Sequence, residues 1–298
     1  MIKVGIYGSA TLDDPIRKQL LRLLLRHPDV DLRSVASPAG NAVPLAELHP
    51  VYAGETELTL ERVLCLDKLD VLFVIDEENL TQEILDRFHS DENFRLIVLG
   101  KAPRLLAGTD ADFVYGLPEW NRKALVRGAR AAVSPLPQTI ITELSLLPLA
   151  KNAMLSGSIS VGISGKTDLK PVADEATAFL KQVQPGFTGQ IVAANTPEAT
   201  FDRLDAEITL TTSIALEEIE RTFREAYDDH NFVYIIPGKG GIEEDLRGSN
   251  KCLIQLNKEG DKLIINSSMD TLTKGCTGNA VHIMDLLFGL HERTGLSI

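Results

Sequence analysis

The stretch Met1-Ile-Lys-Val-Gly-Ile-Tyr-Gly8-Ser-Ala-Thr-Leu-Asp-Asp-Pro15-Ile-Arg-Lys-Gln-Leu20-Leu-Arg-Leu-Leu-Leu25-Arg26 decides the fold class. Ile2 to Tyr7 is a short, mainly apolar run that predicts a buried strand. Gly5 and Gly8 punctuate its end. Pro15 then opens a helical pattern running to Arg26, with Ile16, Leu20, Leu23 and Leu24 on one face. The same alternation continues downstream. Asp70 to Ile75 reads as a strand. Leu80 to His89 reads as a helix entered through Asn79 or Thr81 as its cap. Phe94 to Leu99 and Arg130 to Val133 read as further strands. Strands alternating with helices, without hairpin signals, predict a doubly wound parallel sheet, Rossmann-like, covered on both faces.

The second half has another pattern. Thr139 to Leu155 and Leu169 to Val183 are helical, with Ser158 to Ile163 a strand between them. Asp205 to Thr212 alternates like a half-exposed strand, and Ala215 to Tyr227 is an amphipathic helix. Cys252 to Leu256 and Lys262 to Ser267 are strands joined by Asn257-Lys-Glu-Gly-Asp261, a hairpin signal. This predicts an α+β domain with a mixed or antiparallel sheet. The apolar helix from Gly278 to His291 is expected to pack back on the first domain. The boundaries drawn are therefore 1–136 with 276–298, and 137–275.

Composition narrows the function classes. The chain has 298 residues, 44% hydrophobic and 24% charged, which suits one or two globular domains. Its net charge of −12 argues against a general role on nucleic acid or anionic membrane. No stretch is apolar and long enough to span a bilayer. The scattered Cys65, Cys252 and Cys276 form neither a disulfide framework nor a metal site, so a reduced cytoplasmic protein is expected.

Several stretches together resemble the N-acetyl-γ-glutamyl-phosphate reductase family, the NADP-dependent semialdehyde dehydrogenases of arginine biosynthesis. They are the tail Lys274-Gly-Cys-Thr-Gly-Asn-Ala-Val-His-Ile-Met-Asp-Leu-Leu-Phe-Gly-Leu-His-Glu-Arg-Thr-Gly295, Tyr115-Gly-Leu-Pro-Glu-Trp-Asn-Arg122, Leu146-Leu-Pro-Leu149, Gly248-Ser-Asn-Lys-Cys252, and Leu21 to Pro28 followed by His49-Pro50. The resemblance implies a Rossmann NADP domain joined to an α+β catalytic and oligomerisation domain. It further implies a Cys nucleophile, a His that moves the proton, a glycine turn for the cofactor pyrophosphate and basic groups for the substrate.

The residues implied for that chemistry are replaced here. An ungapped count from Leu146 puts the family's Asn-Pro-Gly-Cys run on Ser134-Pro-Leu-Pro137, so the nucleophile position holds Pro137. Ser134 and Thr139 are expected to cap the helix before Ile140. No His lies between Ser158 and Phe187, where the family's base belongs. The family positions for cofactor are Gly5, Gly8, Ser9, Ala10, Gly278 and Asn279. Between them the third glycine is lost, and Asp13 and Asp14 are expected to cap the helix where pyrophosphate would sit. Asp76-Glu-Glu78 stands where the family has His-Gly. Three carboxylates there would repel a phosphate by about 1 kcal/mol per close pair even in water. Ile283 replaces the Asn expected at the nicotinamide amide. The substrate Arg of the family falls on Asp202 by an ungapped count, while Arg104 matches a family Arg and is the one substrate-binding candidate.

The first reading is therefore an inactive relative acting as a binding, regulatory or structural partner, with no cofactor expected and NADP implied by resemblance alone. The alternative is an active enzyme with a rearranged site, for which Cys276, in a glycine-flanked turn before a helix, is the candidate thiolate. A ligand sensor using the old cleft is a third. The Gly238-Lys-Gly-Gly241 turn offers an anion site or simply a flexible loop. A homodimer or homotetramer is expected, or a mixed oligomer with a genuine reductase. The dimer expectation rests on Ile208, Leu210, Ile254 and Leu256 lying on an uncovered sheet face.

Overall fold

The computed structural model describes residues 1–9, 11–102, 106, 110–197, 202–238 and 240–298. They form two compact units, Met1–Pro135 with Cys276–Leu296, and Leu136–Gly275 with Ser297–Ile298.

In the first unit, β1 (Ile2–Gly8) leads through α1 (Pro15–Leu25) to β2 (Val30–Ala36). A short antiparallel pair, β3 (Val43–Pro44) with β4 (Thr59–Leu60), and a one-turn helix α2 (Leu45–Leu48) follow. Then come β5 (Val71–Ile75), α3 (Gln82–Ser90), β6 (Arg95–Leu99), β7 (Phe113–Tyr115), α4 (Pro118–Val126) and β8 (Ala131–Ser134). Six strands pair in parallel in the order β2-β1-β5-β6-β8-β7. The apolar run Val71-Leu-Phe-Val-Ile75 becomes the central strand, and each of its residues has no exposed surface. A strand buried on both faces has no polar side, so it shows continuous rather than alternating hydrophobicity. Thr81, not Asn79, caps α3, accepting from the Ile84 amide. The Asn79 side chain instead donates to the Ile75 carbonyl at 2.8 Å. The chain order reverses at β1, between β2 and β5, and ligands of such sheets bind beyond the carboxyl ends of the strands at that point.

In the second unit α5 (Pro137–Lys151) is buried from Thr139 to Ala150, all round rather than on one stripe. Next come β9 (Ile159–Ser164), α6 (Lys170–Val183), β10 (Ile191–Thr196), β11 (Arg203–Thr211), α7 (Leu216–Tyr227), β12 (Val233–Ile236), β13 (Cys252–Glu259) and β14 (Lys262–Asp270). They make a mixed sheet in the order β10-β9-β11-β14-β13-β12. The hairpin strands are longer than the sequence pattern predicts, because Gly260 at a φ of +59° lets the turn close on Gly260-Asp261. The chain's last helix, α8 (Gly278–Leu287), belongs to the first unit.

One expectation is corrected here. Ile208, Leu210, Ile254 and Leu256 are 0%, 4%, 0% and 6% exposed, so they are core residues and no apolar patch. The exposed or half-buried parity of β11 is Arg203, Asp205, Glu207, Thr209 and Thr211. The alternation does mark a half-exposed strand, but its apolar half faces this chain's own core.

Candidate functional site

Of the cofactor positions read from the sequence, Gly8 and Ser9 stand at the carboxyl end of β1, and Gly278 and Asn279 open α8, where Asn279 bonds Ser134 at the end of β8. β1 ends at Gly8, whose φ is +119° and whose added Cβ would lie 2.3 Å from the Ile75 carbonyl oxygen. Only glycine fits a left-handed backbone so close to the next strand. Ser9 follows at φ +67° and is buried. Its carbonyl accepts from the Ser37 hydroxyl at 2.6 Å, which ties the turn to the end of β2. Gly5 sits within β1, where a Cβ would meet Leu69 at 2.5 Å, so it is a packing glycine rather than a member of the turn. Ala10 and Arg104 lie outside the described residues, as does Lys239.

The turn closes on the protein itself. Asp14 is the N-cap of α1: its carboxylate accepts from the Arg17 amide at 2.6 Å and from the Ser9 hydroxyl at 2.6 Å. An acid at that place satisfies the helix's first free N–H groups and its positive end. Asp13 is exposed, 3.8 Å from Nδ1 of buried His49. Burial first, then Lys18 and Arg17, hold the His49 pKa below its ordinary value. The Arg17 side chain is fully buried, and it donates to the carbonyls of Gly8 at 3.3 Å, Thr11 at 2.7 Å and Leu12.

Past β5, Asp76 takes a φ of +64°. Burial, then Asp14, Glu77 and Glu78, push its carboxyl pKa above the usual range, with Lys101 opposing. The Glu77 carboxylate accepts from the Lys101 amide at 3.0 Å and faces its ammonium at 3.7 Å. Gly100 makes room for that carboxylate, since a Cβ there would be 2.3 Å from it.

Cys276 is 7% exposed, and burial, with Asp14 and Asp76, pushes its thiol up to about 12. It is a protonated thiol at neutral pH, the reverse of the electropositive setting a nucleophile needs. A glycine-flanked turn before a helix does not by itself lower a thiol pKa; here burial outweighs it, and the charges felt, Asp14 and Asp76, are negative. Asn279 is buried at the start of α8, donating to the Gly116 carbonyl at 2.8 Å and the Ser134 hydroxyl at 2.9 Å. Ser134 is thus engaged at the end of β8. Neither it nor Thr139 caps α5, whose N-cap is Leu136 with no side-chain bond. Pro137 is the first residue of α5, a position suited to proline because that amide has no helical partner. Ile283 is fully buried, and its Cδ1 closes against Gly116.

The second unit holds a cavity of about 400 Å³ lined by Asp202, Arg203, Glu243, Glu244, Arg247 and Asp270 among others. Its cations are engaged internally. Arg203 pairs with Asp205 at 2.7 Å, and Arg247 pairs with Asp245 at 2.7 Å. Both Asp270 oxygens accept from backbone amides, of Gly248 and Thr273. Among the described residues no cluster of His, Cys, Asp or Glu could hold a metal, and no helix is long and apolar enough to cross a membrane.

Two arrangements that sequence reasoning missed complete the first unit. His27 and Asp285, both buried, bond at 3.0 Å, and His282 bonds Glu292 at 2.8 Å, which also meets Arg122. Each member lies in a quoted signature, so the signal was present; what was absent was the pairing, which spans up to 258 positions in sequence.

The residues present do not fit a dinucleotide pyrophosphate. Its place at the end of β1 presents carbonyl oxygens turned onto an internal guanidinium, with a carboxylate already on the helix start.

The architecture, a parallel Rossmann-like sheet with a second mixed-sheet unit, is that of the semialdehyde dehydrogenases. Aspartate semialdehyde dehydrogenase II of Vibrio cholerae, solved in complex with ASA, superposes with a TM-score of 0.71 at 14% identity, covering 97% of this chain and 98% of that one. The Candida albicans enzyme, solved with NADP, gives 0.71 at 12% identity over 96% and 98%. Residues 16–127 match the family model described as semialdehyde dehydrogenase, NAD binding domain. The N-acetyl-gamma-glutamyl-phosphate reductase of Bacteroides thetaiotaomicron is 35% identical over 100% of this chain and 98% of its own length, and that of Phocaeicola vulgatus is 33% identical over the same shares. This chain belongs to the N-acetyl-gamma-glutamyl-phosphate reductase family.

Proposed function

We propose that this chain is a member of the family that does not catalyse the reduction and serves as a binding, regulatory or structural partner. The observation that carries this reading is the turn after β1, closed by Arg17 and Asp14 where the cofactor phosphates would have to sit. Pro137 at the nucleophile position and a Cys276 thiol held protonated point the same way. Loss of a covalent nucleophile alone costs on the order of a million-fold in rate. The cleft ends of the strands are stabilised by internal bonds, which favours a folded scaffold over a reactive site.

The reading further takes the protein to be cytoplasmic and to act as a homodimer or homotetramer, or in a mixed oligomer with an active reductase. The exposed parity of β11 is polar, while exposed Val192 on β10 and Tyr234 on β12 add apolar surface elsewhere on the sheet, so such a contact would be mixed in character. The direct test is an assay for NADP reduction with N-acetylglutamate semialdehyde and phosphate. No turnover is expected from the wild-type chain, nor from Pro137→Cys. Turnover in the wild type would restore the alternative, an enzyme with a rearranged site.

A further inference from the structure

Buried arginine is costly unless its donors are met, because the guanidinium loses its water on folding. Arg17 stands on the first turn of α1 with no exposed surface; its two terminal nitrogens donate to three backbone carbonyls of one turn, those of Gly8, Thr11 and Leu12, while its buried Nε has no partner among the described residues. A loop that cradles phosphate turns N–H groups inward. Here the carbonyl oxygens of Gly8, Thr11 and Leu12 are turned onto a guanidinium instead. The left-handed backbone at Gly8 and Ser9 is what aims the Gly8 carbonyl at the guanidinium. Asp14 completes the arrangement from the other side, bonded to the Ser9 hydroxyl and to Arg17's own amide. Burial lowers the Arg17 pKa, and Asp14 and Asp13 raise it again. An arginine remains charged at any physiological pH.

We propose that Arg17 is a built-in ligand of this turn: an autoinhibitory contact in which the chain's own guanidinium occupies the cradle and makes it a cation site, closed to phosphates. The inference deepens the reading above and rests on it for the identity of the cradle, but its test uses no nucleotide. Removing the side chain should leave a carbonyl-lined hole of guanidinium size. Free guanidinium is then the probe that fits, since it offers the same planar fork of donors.

The experiment is chemical rescue. Wild type, Arg17→Ala and Arg17→Met are melted in about 20 mM guanidinium chloride against equal sodium chloride, a concentration far below denaturing. Hydrogen exchange of the amides from 9 to 14 and of Ile16 is followed in parallel. Arg17→Ala should melt several degrees below wild type. Its loop amides should exchange at least about tenfold faster. Guanidinium should raise its melting temperature and slow that exchange, and should do neither in wild type. Equal responses of wild type and Arg17→Ala to guanidinium would overturn the proposal. Should Arg17→Ala not fold, Arg17→Met keeps the apolar stem; unchanged loop exchange in it would overturn the proposal as well. NADP binding by wild type would defeat the reading of function. Failed rescue without NADP binding would defeat only the plug, leaving the exclusion of phosphate to the carboxylates of Asp14 and Asp76.

Discussion

Asp285→Asn should change how stability depends on pH, and the buried pair with His27 sets the size. Asp285 and His27 side chains are fully buried, 3.0 Å apart. The Asp29 amide donates to Nδ1 of His27, so Nε2 carries the proton and donates to Asp285. Burial is the larger influence on Asp285, and it raises the carboxyl pKa from 3.8 to about 6 despite the bond from His27. The unfolded chain therefore ionises at Asp285 before the folded one does. Stability from this group is present below about pH 4 and is lost as pH climbs through 6. A shift of roughly two units corresponds to about 2–3 kcal/mol between about pH 3.5 and 7. Asn keeps an acceptor for His27 and removes the titration. Urea unfolding of both proteins across that range gives the comparison, and the wild-type minus variant difference should fall by that amount as pH rises. A difference that stays flat within about 0.5 kcal/mol would show that Asp285 titrates normally and that the site is wetter than described.

Gly8→Ala should destabilise the fold by about 2–3 kcal/mol or more, since the methyl would meet the Ile75 carbonyl oxygen at 2.3 Å and the backbone is left-handed; thermal melting measures it. Of the three cysteines, Cys65 is exposed while Cys252 and Cys276 are buried, so a thiol reagent at about pH 8 should label Cys65 fast and the other two only on unfolding. Fast labelling of Cys276 would revive it as a nucleophile.

The parallel unit was legible because a doubly buried strand such as Val71 to Ile75 and a proline-opened helix such as Pro15 to Leu25 are local signals. Strands β2, β7, β10 and β12 were not legible. Val30-Asp-Leu-Arg-Ser-Val-Ala36 carries two charges, and Phe113–Tyr115 has only three residues, so pairing rather than pattern makes them strands. At the site, the sequence offers Asp13 and Asp14 together as the cap; Asp14, directly before Pro15, is the cap, while Asp13 is exposed and faces His49 instead. The burial of Arg17 was not legible. An arginine four residues behind Asp13 reads as a solvated helix face until the turn's carbonyls are seen to converge on it. The setting of Cys276 is likewise non-local: residue type and a helix start are read from sequence, whereas its burial and the charges of Asp14, at the start of α1, and Asp76, just past β5, come from packing.

The most direct test of the central claim is calorimetric titration of the wild-type chain with NADP and NADPH, paired with melting at the highest concentration reached. A dinucleotide at about 100 times its Kd would add about 2.7 kcal/mol of stability. The closed turn predicts no binding heat and no rise in melting temperature up to millimolar cofactor. Saturable binding with a matching rise would show that the Arg17 turn opens to phosphate, and would contradict the account.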